Sequence, residues 1–304
     1  MSTTTTALRR QIGSARDLKS VVRTMKASAA SAIGQYERSV AALADYARTV
    51  ELGLGLCLRS SRPDALRADV SARHADDAMV HAVVFGSDQG LVGRFNEAVV
   101  EHAIAHLKSL PAKAQVWAVG ERVHVHLRDI GMQPDGSFPV PGSVELITRL
   151  VGQILLKVRM PDSATVGGPH GATLMLFYNR PTGSGYAPVS QRLLPLDERW
   201  QRGLARQPWP TTPLPEVLGA GTQALGAFIR EHLFVSLFRA SAESLASENA
   251  SRLAAMQRAD RNIDELLTEL GAKFHRTRQS GIDEELFDVM AGFDAMASRD
   301  VSRG

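Results

Sequence analysis

The chain has 304 residues, 44% of them hydrophobic and 22% charged, with a single cysteine and a formal net charge of +3. That is enough apolar material for a sizeable core in one or two domains; it excludes a disordered chain and a disulfide scaffold, and the net charge is too small to argue nucleic acid by itself. The single cysteine, Cys57, cannot form an internal disulfide, which fits a reducing compartment and an inert place on a helix. The opening MSTTTTALRRQIG lacks the apolar core of a secretory signal, and nowhere do about eighteen uncharged apolar residues run together. The expectation is a soluble protein, at most peripheral to a membrane.

The small net charge is unevenly placed. Among the first 26 residues Arg9, Arg10, Arg16, Lys19, Arg23 and Lys26 stand against Asp17 alone. One end of the first element is therefore basic and suited to an acidic protein surface, phosphates or anionic lipid. From Leu8 to Leu58 apolar residues recur at steps of three and four, beginning Leu8, Ile12, Ala15, Leu18, Val22 and Met25, with no proline between. That spacing predicts one continuous helix with a coiled-coil seam, roughly 75 Å long.

The middle, from about Ala78 to Arg206, changes period. MVHAVVF (79–85), QVWAVG (115–120) and TLMLFY (173–178) read as buried strands. Residues 95–110, 121–131 and 144–159 read as helices between them, which predicts a doubly wound, mostly parallel sheet. PVSQRLLPL (188–196) is expected as an edge strand, and GGPHG and RPTGSGYAP as loops. Periodicity of helical type returns from Leu214 to Met296, through Leu218, Leu225, Ile229, Leu233 and Leu237, and predicts a second helix of roughly 120 Å. Two such helices flanking a globular block bury their stripes by running antiparallel. The second then overruns the first by roughly 45 Å. Its tail, still apolar at Ile282, Leu286, Met290, Phe293 and Met296, needs another protein around it.

The expected fold is thus α/β plus long helices: an antiparallel coiled coil of the N- and C-terminal helices (1–60 and 212–298) with an inserted Rossmann-like α/β domain (78–206).

Few constellations suggest chemistry. The loop GSDQGLVGRFN (86–96) follows the first strand and opens a helix, where α/β folds bind ligands. Its glycines do not fit G-x-G-x-x-G, no Gly-Lys-Ser/Thr follows, and Asp88 repels phosphate, so a tight polar turn or a protein contact is the better reading. His102 and His106 stand four apart but lack the intervening Glu and a third ligand, and read as surface histidines. His124 and His126 point in different directions. Met256, Met290 and Met296 read as packing residues. No nucleophile–base arrangement stands out, and no cofactor or metal is expected.

Three motifs in order resemble those of the F-type ATP synthase gamma subunit family. LRRQIGSARDLKSVVRTMKASAAS (8–31) is similar to the family's first helix, with Met25 and Lys26 matching its Met-Lys pair. SDQGLVGRFN (87–96) resembles the family's S-D-R-G-L-C-G-G-F-N loop, departing at Gln89, Val92 and Arg94. ESLASENASRLAAMQRADRNIDELL (243–267), followed by RTRQSGIDEEL (276–286), resembles the family's most characteristic segment. The resemblance implies a non-catalytic central-stalk rotor, peripheral on the cytoplasmic face of the membrane. Its partners would be the alpha and beta subunits of the catalytic hexamer, the epsilon subunit and the membrane ring of c subunits, with no nucleic acid. It also implies roles by position: Arg278 and Gln279, with Asp283 where the family often has Thr, meet an acidic catch loop of a beta subunit. Met25 and Lys26 face a beta subunit's acidic lever segment, and Arg252 ties the two helices together. Ser87, Asp88, Gln89 and Arg94 face epsilon or the membrane ring.

Two readings of other classes remain: a nucleic-acid binder using the basic end of the hairpin, and an α/β enzyme with a coiled-coil arm.

Overall fold

The β-branched and aromatic runs between residues 79 and 194 are too apolar to leave either side in water, so a sheet built from them must be covered on both faces. The computed structural model describes residues 3–60, 79–158, 173–183, 185–213, 215 and 221–301. Its elements in chain order are α1 (Thr3–Ser60), β1 (Met79–Phe85), α2 (Phe95–Lys108), β2 (Lys113–Val119), α3 (Glu121–Asp129), β3 (Gly136–Phe138) and α4 (Val144–Lys157). The hairpin of β4 (Thr173–Thr182) and β5 (Gly185–Leu194) follows, then α5 (Glu198–Arg206) and α6 (Gly221–Val301). The strands form one sheet in the order β3-β2-β1-β4-β5. All neighbours are parallel except β5, which runs antiparallel to β4 at the edge.

The chain divides into two compact units, Ala29–Arg252 and the two chain ends up to Ser28 and from Leu253. In the first unit, strand alternation sends Val80, Ala82 and Val84 of β1 to one face, where Val99, Val100 and Ala103 of α2 and Val123 and Leu127 of α3 cover them. Val83 and Phe85 go to the other face and meet Ile147, Leu150 and Ile154 of α4. The same cluster takes in Tyr36, Leu54 and Leu58 of α1 and Leu225, Ile229, Leu233 and Leu237 of α6. Each fully buried aliphatic or aromatic side chain contributes about 1.5–3 kcal/mol, so the long helices here are held by the sheet side of the core as much as by each other. Helix packing is close enough to require glycine: a Cβ on Gly53 would lie 2.3 Å from the Phe228 ring, and one on Gly55 would lie 2.6 Å from the Leu204 carbonyl oxygen.

The terminal unit is a helix pair. Val22 of α1 packs with Met256 and Ile263 of α6, flanked by Met25, Ala259 and Leu267. Lys26 Nζ lies 2.6 Å from Asp260 Oδ2, Lys19 is ion-paired with Asp264, and the Arg9 guanidinium stands 5.6 Å from the Phe274 ring centroid. As the α1 number falls the α6 number rises, so the helices run antiparallel. Further along α6 the apolar side chains are uncovered: Leu286 is 58% and Phe287 68% exposed, and Ile282, Val289 and Met290 are exposed as well.

The fold class expected from the sequence is the one observed, and three strands and three helices of the middle block lie where periodicity put them. Differences occur where the signal is short. β3 has only three residues, and α5, ERWQRGLAR, carries too few apolar residues to announce itself. RPTGSGYAP, expected as a loop, supplies both arms of the β4–β5 hairpin, its prolines Pro181 and Pro188 tolerated beside the sheet edge. His102 and His106 are half-buried and stand edge-on to Phe177, so they are not simple surface residues. GGPHG, Leu214, Leu218 and the side chains of Phe293 and Met296 lie outside the described residues.

One packing detail predicts a pH response. His232 of α6 stacks on Trp200 of α5 with ring centroids 4.6 Å apart, and burial pushes its imidazole down to about 4 from 6.5. The unfolded chain therefore takes up this proton first. The stability is whole above about pH 6.5 and is lost as pH falls toward 4, by at most about 3 kcal/mol. His232→Phe, which keeps a flat ring against Trp200, is expected to shrink the difference between thermal midpoints measured at about pH 7 and about pH 4.5. An undiminished difference would show that other groups carry the acid sensitivity.

Candidate functional site

The turn after β1 is a closed polar network, not an open cradle. Ser87 is fully buried; its backbone N–H donates to Asn96 Oδ1 at 3.0 Å, Asn96 Nδ2 donates to Ser87 Oγ at 2.9 Å, and Ser87 Oγ donates to the Gln89 carbonyl at 2.8 Å. Asp88 reaches outward and accepts from two separate segments. Its Oδ1 takes the Glu121 N–H at the start of α3, and its Oδ2 takes the Val140 N–H, both at 2.9 Å. A carboxylate at a helix N-terminus is favoured by the helix dipole as well as by the hydrogen bond. Gly86 and Gly120 make room: a Cβ on Gly86 would lie 2.5 Å from Val123, and Gly120, at φ 112°, packs against the Ser87 backbone. Leu91 adopts φ 62° and is 61% exposed at the tip, beside the exposed Gln89 and Arg94. Arg94 Nη2 is bonded to Glu101 at 3.1 Å.

Helix α6 lies against this turn. Ser251 Oγ donates to the Val92 carbonyl, and Asn179 of β4 donates from Nδ2 to the Phe95 carbonyl at 2.8 Å. Arg252 pairs with Glu248 of the same helix at 2.6 Å and approaches Asn249 at 3.4 Å. Burial pushes the Glu248 carboxyl up, Arg252 opposes that, and Asp88 adds to it. Glu248 in turn raises the Tyr36 hydroxyl of α1, after burial. The link with α1 at this level is electrostatic, between Glu248 and Tyr36, and Arg252 pairs with Glu248 on its own helix.

The remaining sequence-predicted residues are in the terminal unit. Met25 is half-buried against the Val22–Met256–Ile263 cluster. Lys26 is engaged with Asp260 and, as the first cause, its hydrogen bond lowers that carboxyl's pKa. Arg278 is exposed and makes no ion pair among the described residues, while Gln279 Nε2 donates to Asp283 Oδ1 at 3.1 Å one turn along. The structure groups Ser87, Asp88, Gln89 and Arg94 in one turn, and Arg278, Gln279 and Asp283 on one exposed stretch of α6.

No catalytic centre assembles from these groups. Among the described residues no three His, Cys, Asp or Glu side chains are placed to hold a metal ion, and no helix is long and apolar enough to cross a membrane. The Ala29–Arg252 unit has a cavity of about 540 Å³ bordered by Ala44, Glu51, Arg180, Arg192, Trp200 and Arg239. Arg180 and Arg239 are paired with Glu243 and Arg192 with Asp197, and Glu51 of the lining adds a third carboxylate, so the cavity is charge-balanced and carries no bias toward an anion.

A family model described as ATP synthase matches residues 4–296. The chain belongs to the ATP synthase gamma-chain family. Relatives named ATP synthase gamma chain include one from Syntrophus aciditrophicus, 26% identical over 301 residues with 95% of this chain and 97% of the relative covered. Another, from Nitrosomonas eutropha, is 24% identical over 305 residues, covering 95% and 98%. Among solved structures, a chain of the Euglena gracilis mitochondrial ATP synthase (OSCP/F1/c-ring) shares the fold at TM-score 0.59 and 16% identity, covering 96% and 94%. A chain of the Tetrahymena thermophila mitochondrial ATP synthase central stalk and c-ring does so at TM-score 0.53 and 21% identity, covering 79% and 99%. As a gamma-family member the chain is a non-catalytic central-stalk subunit of ATP synthase.

Sequence reasoning identified the turn but missed what holds it. Asn96 and Asn179 are buried amides that bridge elements, and Leu91 is the exposed apolar tip. A small polar residue inside an otherwise apolar run, as in TLMLFYN, was the available signal for Asn179. Asp88→Ala removes the acceptor of two backbone amides and is expected to cost about 2 kcal/mol, read as a lowered denaturation midpoint; a shift no larger than that of an exposed-site control would mean water replaces the carboxylate without loss.

Proposed function

We propose that the chain is the rotor that couples ion flow through a membrane ring to conformational change at catalytic beta subunits, during ATP synthesis or hydrolysis. The observation that carries this reading is the family match over residues 4–296. In this reading the N- and C-terminal helices (1–60 and 212–298) act as the shaft and the α/β segment (78–206) as its foot. The complex sits at the cytoplasmic face of the membrane. An asymmetric shaft touches otherwise identical surrounding subunits differently, and each subunit is biased toward the state its contacts favour. Turning the shaft exchanges those states. Exposed apolar residues from Ile282 to Met290 support a covering by the alpha and beta subunits, because a helix with such a face is marginal in water.

Within that reading Arg278 and Gln279, with Asp283 beside them, contact a beta subunit. Arg278 suits a carboxylate partner because it is exposed and its planar fork binds carboxylates bidentately. Met25 and Lys26 serve a second beta contact, and Lys26 must then exchange or share its bond to Asp260. Arg252 backs the interhelix contact through Glu248. Gln89, Leu91 and Arg94 at the tip of the 86–96 turn meet epsilon or the polar loops of the c ring, with Ser87 and Asp88 fixing the turn's shape.

An affinity tag on this chain is expected to bring down alpha, beta and epsilon subunits together with ATPase activity, and recovery of the chain alone would overturn the rotor reading. Arg278→Glu places a negative charge before an acidic partner and is expected to lower ATP-driven ion pumping by at least about tenfold without changing the chain's own thermal midpoint. Unaltered pumping would remove Arg278 from the interface.

A further inference from the structure

Helix α6 carries Arg239, Glu243, Ser247 and Ser251 at intervals of four, so they form one ridge that winds gradually around the helix. Three of them reach separate parts of the α/β layer. Glu243 Oε2 accepts from Arg180 Nε of β4 at 2.9 Å, while its Oε1 accepts from Arg239 Nε at 2.8 Å. Ser247 Oγ donates to the Asn179 carbonyl of β4 at 3.0 Å. Ser251 Oγ donates to the Val92 carbonyl of the turn after β1. Arg180 also hydrogen-bonds the buried Tyr178 hydroxyl, and Asn179 holds the Phe95 carbonyl, so the parts reached are themselves tied to one another.

The Glu243 carboxylate and the Ser247 hydroxyl are withdrawn from water, while the guanidiniums of Arg180 and Arg239 stay 47% and 61% exposed. The Glu243 side chain is 9% exposed and Ser247 is fully buried, on a stretch where Ala240, Ala242 and Ala246 bring the helix close to the sheet. Burying a carboxylate and hydroxyls gives no more stability than apolar residues of the same volume would. What polar bonds add is direction. Contacts between alanine and leucine surfaces are insensitive to small rolls and slides, whereas a hydrogen bond weakens steeply once its angle falls below about 120°.

We infer that the Glu243–Ser247–Ser251 stripe is the torque-bearing connection between α6 and the sheet, an inference that rests on the rotor reading above. Glu243, Ser247 and Ser251 are positioning residues in this account. They stop α6 from rolling about its axis or slipping along β4, so rotation imposed on the α/β layer reaches the helix without lag. Arg180 and Arg239 hold the Glu243 carboxylate from two sides and fix its direction.

The test uses the assembled complex, immobilised through its hexamer, with a bead attached on the exposed face of α3. Angular fluctuation of the bead during pauses reports torsional stiffness, and a thermal midpoint is recorded for each variant. Ser247→Ala with Ser251→Ala removes two of the three ties, and the angular variance is expected to rise by about twofold while subunit composition is kept. Glu243→Gln, which keeps size but releases the two guanidiniums, is expected to raise it as well. Unchanged variance in an assembled double variant overturns the inference, whatever its midpoint. If the double variant does not assemble, Ser251→Ala and Ser251→Thr decide singly: the hydroxyl of threonine restores the unaltered variance, and equal variance in the two overturns the inference. Unchanged stiffness leaves the rotor reading standing; absence of any rotation with the unaltered chain removes both.

Discussion

An isolated helix is marginal in water unless something covers its apolar side, and that constraint governs this molecule. Helix α6 has 81 residues and α1 has 58, far more than local propensity alone sustains. In the Ala29–Arg252 unit the cover is a sheet face together with α4; in the terminal unit it is the opposite helix alone. The side chains follow the cover. Alanine, serine and paired charges fill the stretch of α6 against the sheet, whereas Val22, Met256 and Ile263 make a thinner seam between the two helices, bordered by Lys26–Asp260.

The turn after β1 illustrates how a motif can serve shape first. Ser87 and Asn96 satisfy each other out of water, and Asp88 joins the start of α3 to the chain at Val140. With those three engaged within the fold, the exposed side chains at the tip are Gln89, Leu91 and Arg94. Departures from the family pattern at Gln89 and Arg94 therefore fall on the exposed surface, outside the Ser87–Asn96 and Asp88 bonds. The third departure, Val92, is buried, and its carbonyl is held by Ser251.

Much of the architecture could be read from the chain because its elements are long. A stripe sustained from Leu8 to Leu58, and strands such as MVHAVVF bounded by glycine or charge, leave little ambiguity of period. Polar bridges were not legible in the same way. Nothing in the spacing of Asp88 points to Glu121 and Val140, which are 33 and 52 residues away, since such pairs are set by how loops meet in space. Arg252 matched a family position, yet its partner Glu248 is one turn away on its own helix, and only the fold brings Glu248 within electrostatic reach of Tyr36 and Asp88. β3 and α5 escaped because three residues, or nine mostly polar ones, carry too little periodicity to separate from a loop.

Gly53 and Gly55 have a bearing on how the polypeptide is built. Glycine in a helix interior costs about 1 kcal/mol relative to alanine, and two within one turn leave the last part of α1 with little inclination to be helical by itself. What holds it is the Phe228 ring and the Leu204 carbonyl, which a ribosome delivers some 150 residues or more later. The carboxyl end of the first long helix thus waits for residues 204 to 228 to emerge, and its amino end waits longer still, for Met256 and Ile263. Contacts so distant in sequence are slow to form. The apolar side chains of the carboxyl end, Leu54 and Leu58 among them, lack one wall of their core until Leu225 and Ile229 have been made.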